Sequence, residues 1–236
     1  MVALLGERFA PITSRIGFLR AGLAEVAEAL TAWRRDLAQQ DLGQPFEVVV
    51  EGTGPLEEAL ARVPPLTAPQ VPRELLVQVG EEWTAYFNCW ILGTDTFSTV
   101  AHLAEAGGWQ TLRVACVPNT KKRFGAVMLV IYGPEPTDWL NRVRLIQLIN
   151  DGGRWTFDLA GEVQPFEEVE AYGARLKRDR FTPEMLERYC QALGVDVFNA
   201  EAYGPKYVLI EKQNELVNAR TVSLAERQAE LGITPT

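Results

Sequence analysis

The chain has 236 residues, 47% of them hydrophobic and 23% charged, and a formal net charge of −8. That length can bury a core as one large domain or two small ones, in the proportions of an ordinary globule. The acidity argues against general nucleic-acid binding, where Lys and Arg displace counterions, and suits a basic protein partner drawn in by the opposite field.

Cys89, Cys116 and Cys190 are odd in number, widely spaced and set in apolar text, which predicts buried thiols rather than disulfides or a metal site. The start, Met1-Val-Ala-Leu-Leu-Gly-Glu-Arg, meets charge too soon for a signal-peptide core. No stretch approaches the ~20 apolar residues of a membrane span, so the expectation is a cytoplasmic protein with no membrane contact.

In chain order, Arg15 to Arg20 reads as a short strand with Ile16 and Phe18 on one face. From Leu23 the period becomes helical through Val26, Ala27, Leu30, Trp33 and Leu37, ending near Gln40. Phe46 to Glu51 is strand-like, and Pro55 opens a short helix. Residues 63–72 hold four prolines and read as a subdomain boundary or a crossing loop. Glu74 to Val79 and Trp83 to Leu92 predict a hairpin, the second strand apolar on both faces and therefore central. Asp95 or Thr96 caps a helix that ends at Gly107-Gly108, and strands follow over Thr111 to Val117 and Phe124 to Tyr132. A basic loop, Asn119-Thr-Lys-Lys-Arg, lies between these two strands. Residues 15–51 and 83–117 share a strand–helix–strand plan, a faint sign of duplication.

Asp138 to Asn150 fits helix and strand alike, and the turn signal Asn150-Asp-Gly-Gly favours a strand over its last part. Its partner, Arg154 to Leu159, puts Trp155, Phe157 and Leu159 on one face and Arg154, Thr156 and Asp158 on the other. Gln164-Pro-Phe-Glu-Glu predicts a short helix with Phe166, Val169 and Tyr172 inward, and Thr182-Pro-Glu predicts another that Gly194 stops. Tyr207 to Glu211 reads as a last short strand. A polar tail over 213–236 carries one helix, with the capping box Ser223-Leu-Ala-Glu226, and is expected to be peripheral, mobile or docked on a neighbouring molecule.

The common catalytic texts are missing. There is one histidine, His102, and no Gly-x-x-x-x-Gly-Lys-Ser/Thr, Gly-x-Gly-x-x-Gly or Gly-x-Ser-x-Gly, so no cofactor, metal or catalytic residue is assigned. An enzyme would have to use the carboxylates Asp151, Asp158, Glu162, Glu167 and Glu168. Asp151 also fits a turn, and Glu167 and Glu168 a helix start. Six tryptophans favour binding, because Trp, Tyr and Arg dominate protein interfaces. The candidate partner-binding residues are Tyr86, Trp90, Trp139, Arg154, Asp158 and Arg178.

Trp83-Thr-Ala-Tyr-Phe, Asn150-Asp-Gly-Gly-Arg-Trp-Thr-Phe, Gln164-Pro-Phe-Glu and Asp179-Arg-Phe-Thr-Pro-Glu-Met-Leu resemble marks of a group of uncharacterised bacterial cytosolic proteins. The style of the chain, acidic and aromatic without catalytic text, is similar to immunity proteins that neutralise secreted bacterial toxins. The expectation is one α+β domain over 1–212, with a mixed, largely antiparallel sheet and flanking helices. Its expected role is non-enzymatic protein binding, with a basic toxin domain as the implied partner. The alternatives are an enzyme using carboxylates of 151–168, or a structural protein that oligomerises through its C-terminal tail.

Overall fold

The computed structural model describes residues 3–40, 48–212 and 218–234. Its strands are β1 (Arg15–Leu19), β2 (Val48–Thr53), β3 (Leu66–Ala68), β4 (Arg73–Val79), β5 (Trp83–Asn88), β6 (Thr111–Val117), β7 (Ala126–Tyr132), β8 (Arg142–Asp151), β9 (Arg154–Gly161), β10 (Tyr203–Glu211) and β11 (Arg220–Val222). The helices are α1 (Leu23–Gln39), α2 (Leu56–Leu60), α3 (Phe97–Gly107), α4 (Pro183–Ala192) and α5 (Leu224–Leu231).

Nine of these strands form one sheet in the order β2-β10-β4-β5-β1-β6-β7-β8-β9, while β3 pairs with β11. The fold is α+β. Every ladder between named strands is antiparallel, and the parallel contact is an isolated bridge between Thr67 and Trp90. Both β1 and β2, which precede the proline-rich 63–72 segment, belong to the same sheet as the strands after it.

Each face of the sheet is covered by different elements. Leu19, Leu76, Tyr86, Val208 and Ile210 pack with α1 residues Val26, Ala27 and Leu30 and with Leu103 of α3. The opposite face, with Phe18, Leu75, Phe87, Val114, Leu129 and Leu148, packs with Leu4, Ile12, Leu56, Leu60, Met185, Leu186 and Tyr189. β5 is therefore buried along its whole length. It ends at Asn88, short of the expected Leu92, because the Asn88 carboxamide oxygen folds back to accept from the Trp90 and Asp95 amides at 3.1 Å each. Leu92 is left 54% exposed.

The two strand–helix–strand units make parallel crossovers in this sheet and lay α1 and α3 side by side on one face. They differ in reach: β1-α1-β2 spans three intervening strands and β5-α3-β6 spans β1 alone. Gly17 of β1 allows α3 its close approach, since a Cβ there would meet Val100 Cγ2 at 2.5 Å.

Local signals account for several elements. Thr182 Oγ1 accepts from the Met185 amide and Pro183 opens α4, while Gly108 ends α3 in the left-handed region at φ 66°. The ambiguous 138–150 segment is strand over Arg142–Asp151, turning into β9 through Gly152 and Gly153 at φ 59° and 92°. All three cysteines are buried and none is in a disulfide.

Three expectations are corrected. Gln164-Pro-Phe-Glu-Glu is not the start of an α-helix; the chain makes a 3-10 turn over Val169–Gly173, and of the three residues expected inward Phe166 and Tyr172 pack against the core while Val169 is 42% exposed. β10 is not a short terminal strand, for its nine residues lie between β2 and β4. The described part of the tail docks on its own chain: β11 pairs with β3, Ile233 is buried, and Gln228 Nε2 donates to the carbonyls of Arg8 and Ala10 at 2.9 and 3.0 Å.

Truncation after Gln213 removes these contacts. Burial of one large aliphatic side chain is worth about 1.5–3 kcal/mol, so urea unfolding is expected to show a loss of about 2 kcal/mol or more. An unchanged midpoint would show that the tail adds nothing to the fold.

Candidate functional site

Glu74 of β4 has no exposed surface and is held by several charged and polar partners. Arg34 of α1 donates to it from Nε at 2.9 Å and Nη2 at 2.6 Å. Lys212 Nζ lies 3.0 Å from Oε2, and the Tyr86 hydroxyl donates to Oε1 at 2.7 Å. Asn88 Nδ2 and Thr99 Oγ1 in turn reach the Tyr86 oxygen at 3.0 and 3.3 Å. Burial by itself would raise the Glu74 pKa, but the two cations and the hydrogen bonds outweigh it and hold the carboxyl down at about 2. Burial, reinforced by the Glu74 charge, pushes the Tyr86 phenol above its ordinary value. Two cations face one carboxylate, and each oxygen of Glu74 is taken; this is an internal clamp.

A second buried pair explains most of the 150–181 text. Arg144 of β8 and Glu167, 3% and 0% exposed in their side chains, meet in a fork at 2.8 and 2.6 Å. Arg144 Nη1 also donates to the Gly161 carbonyl at 2.8 Å, and Glu167 accepts from the Gln164 amide and the Tyr172 hydroxyl, each at 2.8 Å. Glu167 thereby holds its own loop in a tight polar corner, which displaces the helix expected there. Glu168 is taken by Arg188 at 2.6 Å. Asp151 and Asp158 stand four residues apart along the β8–β9 ladder, roughly 13 Å of strand. The carboxylates of 151–168 are therefore not gathered into one site.

The open site lies at the other end of the sheet. Among the described residues α1 packs chiefly on β10, β4 and β5 and stops short of covering edge strand β2. A helix about 10 Å wide cannot reach across further strands spaced ~4.8 Å apart. The step so formed is a cleft of about 950 Å³. Leu23, Ala27, Val49 and Val208 give it an apolar floor, and Glu25, Glu28, Glu51 and Glu81 rim it, against one lysine, Lys206. Glu25 and Glu28 share a face of α1 as i and i+3, while Glu51 stands opposite Val208 in the β2–β10 ladder. These four glutamates make none of the molecule's ion pairs among the described residues.

The six sequence-nominated binding residues do not form one surface. Tyr86 is fully buried in the Glu74 clamp, so it is withdrawn from the surface set. Trp90 is half-buried beside Thr67. Trp139 is 55% exposed, with the Arg142 guanidinium 5.9 Å from its ring centre. It sits before the start of β8, whereas Arg154 opposes Asp151 at the far end, roughly 30 Å along the strand. Asp158, exposed on β9, accepts from Gln147 at 3.2 Å. Arg178 lies beyond β9 in a turn over Lys177–Asp179, 3.7 Å from the Asp179 carboxylate. Sequence reasoning missed the glutamate rim because its members come from α1, β2 and the β4–β5 turn. The legible signals were the i, i+3 glutamates of α1 and the alternation of Glu51 with Val50 and Gly52.

Among the described residues no group of three or more His, Cys, Asp and Glu is placed to hold a metal ion, and no helix is long and apolar enough to cross a membrane. Comparison with protein-family models, with curated proteins and with solved structures finds no match in any of the three.

Removing one member of a buried ion pair costs about 3–5 kcal/mol. Glu74→Gln is expected to lose that much stability at pH 7 in urea unfolding. Because the Glu74 pKa is depressed from 4.5, its contribution is present above pH 4.5 and is lost as pH falls toward about 2. The gap between wild type and variant should close over that window. A gap independent of pH would contradict the clamp.

Proposed function

We propose that this chain is a non-enzymatic protein-binding module that takes a basic segment of its partner into the cleft between α1 and β2. The observation that carries the reading is the cleft's rim, four glutamates without ion-pair partners among the described residues, above an apolar floor. Lys and Arg side chains suit such a groove, because their stems cover apolar surface while their heads meet carboxylates at the rim. The net charge of −8 supports the same direction of attraction at longer range. A toxin-neutralising immunity protein is the concrete form of this proposal, its partner a toxin domain that is basic where it meets the cleft. Oppositely charged pairs of that kind associate fast and lose speed with added salt.

The test is charge reversal in the full chain. With the partner isolated on wild-type bait, Glu28→Lys/Glu51→Lys is expected to weaken its binding at least tenfold and to flatten the salt dependence of the association rate. Both positions are exposed, so unfolding stability should change by no more than about 0.5 kcal/mol. A partner that binds wild type and reversed variant equally would refute the cleft as the docking site.

A further inference from the structure

On the same face of the sheet, beyond the other flank of the helices, two arginines stand together without a carboxylate in ion-pair contact among the described residues. Arg15 of β1 opposes Ala115, and Arg113 of β6 opposes Gly17. The two are therefore diagonal neighbours on one face, with Cβ atoms roughly 7–8 Å apart. Gly17 carries no side chain between them, and α3 begins directly above it: a Cβ at Gly17 would lie 3.5 Å from Thr96 Cγ2.

The neighbouring acceptors are mostly neutral. Arg113 donates from Nε to Thr96 Oγ1 at 3.2 Å and from Nη1 to the Tyr132 hydroxyl at 3.1 Å. Arg15 donates from Nη1 to the Leu92 carbonyl at 2.8 Å. Asp95 is the carboxylate that acts on Arg15, and its Oδ1 already accepts from the Phe97 amide at 3.0 Å. Neither arginine makes an ion pair among the described residues, whereas the half-buried Arg34 and the buried Arg123 and Arg144 each face a carboxylate. Burial first, and then the Arg113 charge, lowers the Arg15 pKa, as two like charges held together require. Thr96 Oγ1 accepts from Arg113 and makes no capping bond to α3, whose first-turn amides of Ser98 and Thr99, as at any helix start, have no intrahelical acceptor.

We propose that Arg15, Arg113 and the first turn of α3 form a binding site for a phosphate-type oxyanion. Such an ion neutralises the like-charged pair, accepts from the guanidinium N–H groups still free and meets the positive end of the helix. Phe97, 42% exposed with the Arg113 guanidinium 4.9 Å from its ring centre, gives an organic phosphate a ring to lie against. The site is opposite in sign to the acidic cleft and does not depend on it.

The experiment is calorimetric titration of the full chain with inorganic phosphate and with phenyl phosphate, at constant ionic strength against chloride. Wild type should give saturable binding, and Arg15→Gln and Arg113→Gln should each weaken it at least tenfold. Glu51→Lys, in the cleft, should bind phosphate as wild type does. Tighter binding of phenyl phosphate than of phosphate would assign the ligand to the organic class, and equal binding to the free ion. Arg113 also holds Tyr132, so should its variant fail to fold, Arg15→Gln alone decides. Absence of saturable phosphate binding, or an Arg15→Gln variant that binds undiminished, overturns the proposal.

Discussion

A carboxylate sealed from water at the meeting point of five segments sets the geometry of the helix-covered face. Glu74 on β4 is reached by Arg34 from α1, Tyr86 from β5 and Lys212 from the end of β10, with Thr99 of α3 bonded to the phenol. Removing such a charge from water costs several kcal/mol, and only the simultaneous presence of the cations and the phenol offsets it. A helix displaced by one turn would strand Glu74, so the clamp fixes the register of α1 against the sheet. That register keeps α1 off β2 at one flank, among the described residues, and places the first turn of α3 over Gly17 at the other.

The helix side of the sheet thus differs in charge between its two flanks. Toward β2 the exposed charges are mostly glutamates, and around the start of α3 the half-buried Arg15 and Arg113 stand near the exposed Asp95. The opposite face has been closed by α2, α4 and the Arg144–Glu167 corner, with apolar contacts throughout.

The sequence carried the local structure well where short-range chemistry decides it. Thr182-Pro-Glu, Gly107-Gly108, Asn150-Asp-Gly-Gly and Ser223-Leu-Ala-Glu226 act within a turn of chain, and each turn or helix end stands where those residues put it. The both-sides-apolar pattern of Trp83 to Leu92 gave a central strand, which already implied that Tyr86 would be inside. Its nomination for the surface ignored that implication. Long-range pairing was beyond periodicity: nothing local says that β10 inserts between β2 and β4, or that Arg144 will find Glu167. The cleft was illegible for the same reason, since its rim is assembled from α1, β2 and the β4–β5 turn by topology and by no motif.

Docking of a basic partner segment in the α1–β2 cleft is the central claim, and amide hydrogen exchange of the chain with and without its isolated partner tests it most directly. The account predicts new protection over residues 22–31, 48–53 and 206–208. Protection confined to residues 139–158, with none at the cleft, would contradict it.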